Sequence, residues 1–85
     1  MSASPPLTEL LATVNRLDPR ADVAAYYAIE YGYSARATAI ALKRRRSTIT
    51  AGHATIRDRR AEGAMLELRQ LDEAIADALP LPLED

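Results

Sequence analysis

The sequence contains no cysteine, tryptophan or phenylalanine, and its single histidine is His53. Without cysteine the chain can form neither disulfides nor thiolate metal sites, and one histidine cannot hold zinc by itself. We therefore expect no metal and no other cofactor. No apolar run approaches the roughly 20 residues that a membrane span requires, and residues 1–6 do not have the pattern of a secretory leader. The expectation is a soluble protein located in the cytoplasm and associated with the nucleoid.

Catalytic constellations are also missing from the sequence. It shows no nucleophile paired with a base, no carboxylate pair flanked by apolar residues, and no glycine-rich phosphate loop with its lysine. We therefore do not expect an enzyme, and no small-molecule substrate is evident. A chain of 85 residues also buries little apolar surface on its own, so self-association is the expected supplement to its stability.

Negative charge is absent from residues 31–57, although the net charge of the whole chain is only −1. Residues 43–60 hold seven cations against Asp58, a net charge of +6, whereas residues 61–85 hold seven carboxylates against Arg69, a net charge of −6. A concentrated positive field attracts a polyanion whatever the total charge, because the local potential governs the encounter. Nucleic acid is therefore the first candidate partner.

Capping signals and apolar spacing predict an all-α protein, a small helix-turn-helix bundle of about five helices. The first helix is expected to start at Ser4-Pro5 and end near Leu17, and the second to start at Asp18-Pro19 and close at a left-handed Gly32. Ser34 is expected to cap a third helix that ends at Leu42, and Ser47 or Thr48 to cap a fourth.

The last helix carries apolar residues at three-four spacing, like a coiled-coil seam. Gly63 is expected to bend or break this helix, and Pro80 and Pro82 to end it. We expect this seam to form a homodimer, with packing against the first helix of the same chain as the alternative. The predicted dimerisation residues are Ala64, Leu68, Leu71, Ile75 and Ala78. The predicted division is a DNA-binding domain over 1–60, an acidic helix over 61–80 and a tail over 81–85.

Three positions fit a helix-turn-helix. Ala39 supplies the small residue where the two helices cross, Leu42 the buried residue before the turn, and Ile49 the buried residue of the second helix. Lys43 stands in the turn where glycine is commonest. A left-handed backbone at this lysine would be strained by about 1–2 kcal/mol.

Residues 19–56 resemble the carboxy-terminal DNA-binding domain of DnaA-type replication initiators, in the Trp-repressor-like helix-turn-helix group. Pro19-Arg20 matches the family's Pro-Arg helix start, and Ser34 lies at the same distance from it as the family's serine before the first motif helix. The family's Arg-x-x-(Thr/Ser)-Thr-Val pattern and its later isoleucine are matched by Arg44, Ser47, Thr48, Ile49 and Ile56. The turn is one residue shorter, and Arg45-Arg46 replaces the family's Asp-His pair, so the family's target sequence does not transfer. The resemblance implies that Arg44, Ser47 and Thr48 touch DNA.

The charged and hydroxyl residues around the fourth helix are the candidate DNA-binding residues. Arg45 and Arg46 can bond guanine edges, Ser47 and Thr48 can bond phosphate or base, and Arg57, Arg59 and Arg60 can grip the backbone. The full set is Lys43, Arg44, Arg45, Arg46, Ser47, Thr48, Thr50, His53, Arg57, Arg59 and Arg60. Thr50 and His53 belong to this set because we expect them to lie on the side of the same helix that faces the DNA groove.

The predicted function is binding of double-stranded DNA as a small transcriptional regulator or replication accessory factor. One competing hypothesis is a protein-interaction adaptor whose basic face binds an acidic partner. Another is a small DNA-packaging subunit, similar to those of terminases, that oligomerises through the last helix. The four tyrosines, Tyr26, Tyr27, Tyr31 and Tyr33, could form a stacking platform for single strands, but helical spacing favours a core position for Tyr27 and Tyr31.

Overall fold

The computed structural model describes residues 5–63 and 66–79, which form five α-helices and contain no strand. The helices are α1 (Leu7–Leu17), α2 (Ala21–Glu30), α3 (Ala35–Leu42), α4 (Arg46–Ala61) and α5 (Leu66–Ala78). The predicted all-α bundle is therefore confirmed. No helix in these ranges combines the length and apolar character needed to cross a bilayer.

Two apolar clusters hold the helices together. The larger cluster joins α1, α2, α4 and α5, and its buried side chains include Leu10, Val14, Val23, Tyr27, Ile56, Leu68 and Ile75. The smaller cluster contains Ala25, Ala39 and Ile49, with Leu42 packed against both clusters. Because this second cluster lies among α2, α3 and α4, it fixes the angle at which α4 leaves the turn. The predicted roles of Ala39 and Ile49 as buried crossing residues are confirmed.

Helices α2 and α4 cross at Gly52, a residue that apolar spacing alone does not single out. A Cβ atom added at Gly52 would lie 3.0 Å from the Cβ of Asp22 and 3.1 Å from its Cα. The second contact is with backbone, so a larger residue would push the two helices apart. The absence of a side chain at this position therefore sets the depth at which α4 packs on α2.

The turn between α3 and α4 is closed by Lys43 in a left-handed conformation, with φ 57° and ψ 47°. The Arg44 amide donates to the Ala39 carbonyl at 2.9 Å, and the Lys43 amide donates to the Ile40 carbonyl at 3.2 Å. This is the paired hydrogen bonding of a Schellman motif, which normally selects glycine. The strained backbone that the sequence allowed for at Lys43 is therefore present, and Gly32 (φ 103°) is left-handed as predicted.

The Ser34 cap is confirmed, since its Oγ accepts a hydrogen bond from the Ala37 amide at 3.0 Å. The prediction for α4 was wrong, because its N-cap is Arg45 rather than Ser47 or Thr48. The Arg45 carbonyl already accepts hydrogen bonds from Thr48 and Ile49. After the left-handed Lys43, only Arg44 and Arg45 are needed to complete the turn, so α4 starts at Arg46.

The predicted starts of α1 and α2 were also displaced. Helix α1 has Pro6 as its N-cap, so Pro5 lies before the helix, and Ser4 is outside the described residues. Helix α2 has Arg20 as its N-cap. Asp18 instead accepts a hydrogen bond from the Arg20 amide at 3.1 Å and pairs with the Arg20 guanidinium at 2.7 Å. The hydrogen bonds from the Arg20 guanidinium, more than the one from its amide, lower the pKa of the Asp18 carboxyl.

Helix α5 packs against α1 within the same chain, which is the alternative that the sequence left open. Leu68 and Ile75 are buried in the larger cluster, Leu71 packs against it, and Ala78 is exposed. Gly63 (φ 73°) follows the end of α4 and precedes α5, so the predicted helix from residue 61 is broken at this glycine. Ala64, Pro80, Pro82 and the tail 81–85 lie outside the described residues. A dimer built on this seam stays a prediction, and it would require Leu68 and Ile75 to leave the core.

Candidate nucleic-acid interface

Four consecutive cations surround the turn that joins α3 to α4. Lys43, Arg44, Arg45 and Arg46 are all exposed, and none forms an ion pair with the described part of the chain. Lys43 is the C-cap of α3, and Arg44 follows it in the turn. Arg45 is the N-cap of α4, and Arg46 is the first residue of that helix. Because the turn is tight, their positive charge is concentrated at one end of α4.

The outward face of α4 is lined by small side chains. Ser47, Ala51, Ala54 and Asp58 follow one another at spacings of four, three and four residues, which places them on one face of the helix. Ser47, Ala51 and Asp58 are exposed and Ala54 is half-buried. A helix with so little side-chain bulk on one face can approach the floor of a groove closely. Asp58 is the exception and carries negative charge near the far end of that face.

A shallow groove of about 670 Å³ runs between the start of α2 and one flank of α4. Its apolar floor includes Ala25, Ile49 and Gly52, which are residues of the crossing described above. Polar groups border it from both helices, namely Arg20, Asp22, Arg44, Ser47, Thr48 and Thr55. The groove brings Arg44, Ser47 and Thr48 to one surface, as the predicted interface requires.

The hydroxyl groups of α4 differ in what they can still donate. Thr50 Oγ1 donates to the Arg46 carbonyl at 3.1 Å, and Thr55 Oγ1 donates to the Ala51 carbonyl at 2.9 Å. Each keeps only its acceptor capacity, since one hydroxyl carries one proton. Ser47 and Thr48 are exposed at the first turn of the helix, where no side chain caps the amides. The Thr50 proton is therefore used within the helix, whereas the hydroxyls of Ser47 and Thr48 donate to no acceptor among the described residues.

His53 lies on the inner side of α4, which corrects the prediction that its side chain faces a DNA groove. Its ring stacks on Tyr26, with ring centroids 5.3 Å apart, and its Nε2 lies 3.0 Å from Glu30 Oε2. The side chain is only 16% exposed. Helical spacing explains the position, because His53 follows the buried Ile49 by four residues and precedes the buried Ile56 by three.

The three arginines at the end of α4 point in different directions. Arg59 is exposed, and it lies on the flank that carries Thr48 and Thr55. Arg57 is exposed on the other flank, and its Nη2 lies 3.3 Å from Asp58 Oδ1. Arg60 faces α5 instead. Its guanidinium makes two hydrogen bonds to the Asp72 carboxylate, at 3.0 and 2.9 Å.

Arg60 is the second candidate DNA-binding residue whose side chain serves the fold. It also stands 5.3 Å from the centre of the Tyr26 ring, and its Nε is buried without a hydrogen-bond partner. Tyr27 completes the network by donating to Asp72 Oδ1 at 2.5 Å. The guanidinium hydrogen bonds lower the pKa of Asp72, whereas burial, reinforced by the hydrogen bond to Asp72, raises the pKa of Tyr27. This network ties α5 to α2 and α4.

The tyrosines belong to the core rather than to a stacking platform. Tyr26 and Tyr27 are buried and meet edge to face, with ring centroids 5.2 Å apart. Tyr31 and Tyr33 are half-buried and pack against the larger cluster, and the Tyr33 hydroxyl donates to the Pro5 carbonyl. The core position favoured for Tyr27 from helical spacing is confirmed, whereas Tyr31 lies at the edge of the core.

Arg36 is a candidate that the charge count over residues 43–60 did not include. It is exposed in the first turn of α3, beside the Ser34 cap, and it forms no ion pair with the described residues. The available signal was the absence of carboxylates from residues 31–57, a stretch that contains Arg36. Arg20 was likewise considered only as a helix-start residue, yet it borders the groove.

Among the residues that the structure describes, no three histidine or acidic side chains lie close enough together to hold a metal ion. Comparison of the chain with protein-family models, curated proteins and solved structures gives no significant match.

Proposed function

We propose that this protein binds double-stranded DNA by inserting α4 into the major groove, and that it acts as a small transcriptional regulator or replication accessory factor. The observation that carries this proposal is the four-residue cationic turn, exposed and without intrachain partners, at the start of a helix whose outward face is small. Nothing in the described chain neutralises that charge, so a polyanion is the partner of matching chemistry.

The dimensions of α4 suit a major groove. An α-helix with its side chains is roughly 10–12 Å across, and the major groove is about 12 Å wide. The small residues Ser47, Ala51 and Ala54 on the outward face allow the helix backbone to lie deep in that groove. Helix α4 has 16 residues, and only its first turns need contact base edges.

The individual residues divide into those that read bases and those that position the protein. Arg45 and Arg46 can bond O6 and N7 of guanine in a bidentate manner. Ser47 can donate from its hydroxyl to a phosphate at the uncapped helix start, where the amides also favour an anion. Arg36, in the first turn of α3, and Arg59, in the last turn of α4, are exposed and are assigned to the phosphate backbone.

The regulatory and replication roles have separate supports. Exposed cations at a helix-turn-helix support DNA binding in general. The resemblance of residues 19–56 to DnaA-type initiators supports a replication role in particular, and it assigns Arg44, Ser47 and Thr48 to DNA. The pairing of Arg60 with Asp72 and the stacking of His53 on Tyr26 lead us to omit Arg60 and His53 from the proposed contacts.

The test is a fluorescence anisotropy titration of labelled mixed-sequence duplex DNA at several salt concentrations. If about five cations reach phosphates, the logarithm of the affinity should fall with the logarithm of the salt concentration with a slope of roughly −4 to −5. Absence of binding at low salt would refute the proposal.

Two substitutions separate base reading from backbone contact. Arg46→Ala should relax the sequence preference obtained by selecting duplexes from a random pool, because it removes a base contact worth about 1–3 kcal/mol. Arg59→Ala should weaken binding to all sequences alike and make the salt slope shallower by roughly 1. Arg69→Ala, on the exposed side of α5, is the matched control and should leave both properties unchanged.

A further inference from the structure

Helix α4 contains one carboxylate, Asp58, among its 16 residues. Asp58 lies at the far end of the outward face, eleven residues after Ser47. Its side chain is 65% exposed, and its one charged partner among the described residues is the adjacent Arg57, at 3.3 Å. Arg57 is itself 60% exposed, and a pair of this kind contributes little to stability. The Asp58 carboxylate is therefore available to another hydrogen-bond donor.

The fold gains little from a carboxylate at this position. Asp58 is in the last turn of α4, where the negative end of the helix dipole disfavours an anion. The residues three and four positions away along the helix, where a cation would support it, are Ala54, Thr55, Ala61 and Glu62. An exposed carboxylate that the fold does not need, on the helix face directed away from the core, indicates a contact with a partner.

The two arginines beside Asp58 determine what it would meet on DNA. Arg57 and Arg59 are exposed on opposite flanks of α4, and Asp58 lies between them on the outward face. When α4 occupies the major groove, its flanks face the two DNA strands, so the two guanidinium groups are near the phosphates. The carboxylate between them then faces the base edges. This step rests on the proposed function, the insertion of α4 into the major groove.

The side-chain lengths along the outward face agree with that placement. The floor of the major groove winds around the DNA axis, so a straight helix is closest to it at the middle of the contact and further away at both ends. Ala51 and Ala54 lie in the middle of the face, whereas Ser47 and Asp58 lie at its ends. At about 1.5 Å per residue, these end residues are roughly 16 Å apart along the helix. At about 3.4 Å per base pair, their contacts fall within roughly five base pairs.

We propose that Asp58 is a specificity-determining residue that accepts a hydrogen bond from the N4 amino group of cytosine. A carboxylate only accepts hydrogen bonds, so it selects an amino donor on a base edge. The amino group of an A·T pair lies between two acceptors, adenine N7 and thymine O4, whereas the cytosine amino group has only guanine O6 beside it. The target therefore carries a cytosine within roughly five base pairs of the guanine that Arg45 or Arg46 contacts.

Asp58 also acts against the wrong sequences. On a duplex without cytosine at this place, the carboxylate faces acceptors and stays close to phosphates, and both interactions are repulsive. Specificity then comes from the repulsion as well as from the hydrogen bond. Removal of the carboxylate is expected to raise the affinity for mixed-sequence DNA while it lowers the discrimination between sequences.

The experiment selects bound duplexes from a random pool and sequences them, in parallel for the wild type, Asp58→Ala and Asp58→Asn. The wild type should prefer cytosine at one position by about tenfold, which lies within the range of a single base contact. Asp58→Ala should lose this preference and keep the preference for guanine. Asp58→Asn should prefer adenine instead, because an amide can bond N6 and N7 of adenine together.

Affinity for one mixed-sequence duplex supplies the second measurement. Asp58→Ala should bind it about two- to fivefold more tightly than the wild type, as expected for one exposed charge interaction. Asp77→Asn, which removes a carboxylate from the exposed side of α5, is the matched control and should change neither the affinity nor the selected sequence. Urea denaturation verifies that each variant is folded.

Three outcomes would overturn the role of Asp58. If Asp58→Ala selects the same sequences as the wild type with the same affinity, Asp58 contacts no base. If it binds every sequence more tightly with unchanged preferences, the carboxylate only repels phosphate. If the preference that it loses is for a base other than cytosine, the assigned donor is wrong. In all three the wild type still binds DNA, so the proposed function stands. A wild type that binds no duplex at low salt refutes both proposals.

Discussion

The left-handed backbone of Lys43 provides a quantitative test of the turn geometry. A residue with a Cβ atom is strained by about 1–2 kcal/mol in this conformation, whereas glycine adopts it freely. Glycine also has more conformational freedom in the unfolded chain, which offsets roughly 0.5–1 kcal/mol of the gain. We therefore expect Lys43→Gly to raise the free energy of unfolding by about 0.5–1 kcal/mol. In a domain of this size, that corresponds to an increase in Tm of roughly 2–8 °C.

Lys43→Ala is the matched control, because it removes the same charge and keeps the Cβ atom. It should leave the free energy of unfolding nearly unchanged. Both variants lose one cation, so they should weaken DNA binding to the same extent and make the salt slope shallower by roughly 0.9. Stability is measured by thermal and chemical denaturation, and affinity by the anisotropy titration.

Two results would refute this reasoning. If Lys43→Gly is no more stable than Lys43→Ala, position 43 is not left-handed and the Schellman hydrogen bonds of Arg44 and Lys43 are incorrect. If the two variants differ in DNA affinity, the conformation of the turn, and not the charge of Lys43, controls binding.

Three further substitutions test the packing that orients α4. Gly52→Ala should destabilise the fold by about 1–3 kcal/mol in urea denaturation, although alanine is the better helix former, because its Cβ would lie only 3.1 Å from the Asp22 Cα and the backbone of α2 would have to shift. Ser34→Ala should lower the free energy of unfolding by about 1 kcal/mol in the same assay, since the α3 cap is lost. Asp72→Asn should lower it by about 1 kcal/mol near neutral pH, because the ion pair with Arg60 is partly exposed.

The effect of Asp72→Asn depends on pH in a defined direction. The pKa of Asp72 is lowered in the folded chain, so its stabilising effect is present above the unfolded value near 3.8 and disappears as the pH falls through the folded value. The difference between wild type and variant should therefore shrink in acid. Asp77→Asn, on the exposed side of α5, is the control and should show no such difference. A difference that persists at low pH would contradict the assigned ion pair.

Local signals in the sequence determined much of the helical architecture. The spacing of apolar residues and the turn signals at Gly32, Ser34 and Gly63 depend on neighbouring residues only, and the structure agrees with them. The cap predicted at Ser47 or Thr48 failed because Arg45 and the left-handed Lys43 end the turn earlier. A local signal indicates that a helix starts nearby, but competing local hydrogen bonds decide the residue.

The sequence determined the positive charge of the candidate site, and the tertiary structure determined which of the cations belong to it. The run of four cations at 43–46 can be recognised directly in the sequence. In the structure their side chains are exposed and form no ion pair with the described residues. Arg60 looked equivalent to Arg59 in sequence. Only the packing of α5 shows that Arg60 meets Asp72, twelve residues away, and that Arg59 stays in solvent.

The sequence by itself therefore determined the all-α class, the position of the turn and the concentration of positive charge, since each depends on residues within a few positions of one another. Tertiary structure alone decided that Leu68 and Ile75 belong to the intrachain core, that His53 faces Tyr26, and that α2 and α4 touch at Gly52. These outcomes depend on which helix faces meet. That choice is made by burial and close packing across the whole chain, and no local pattern encodes it.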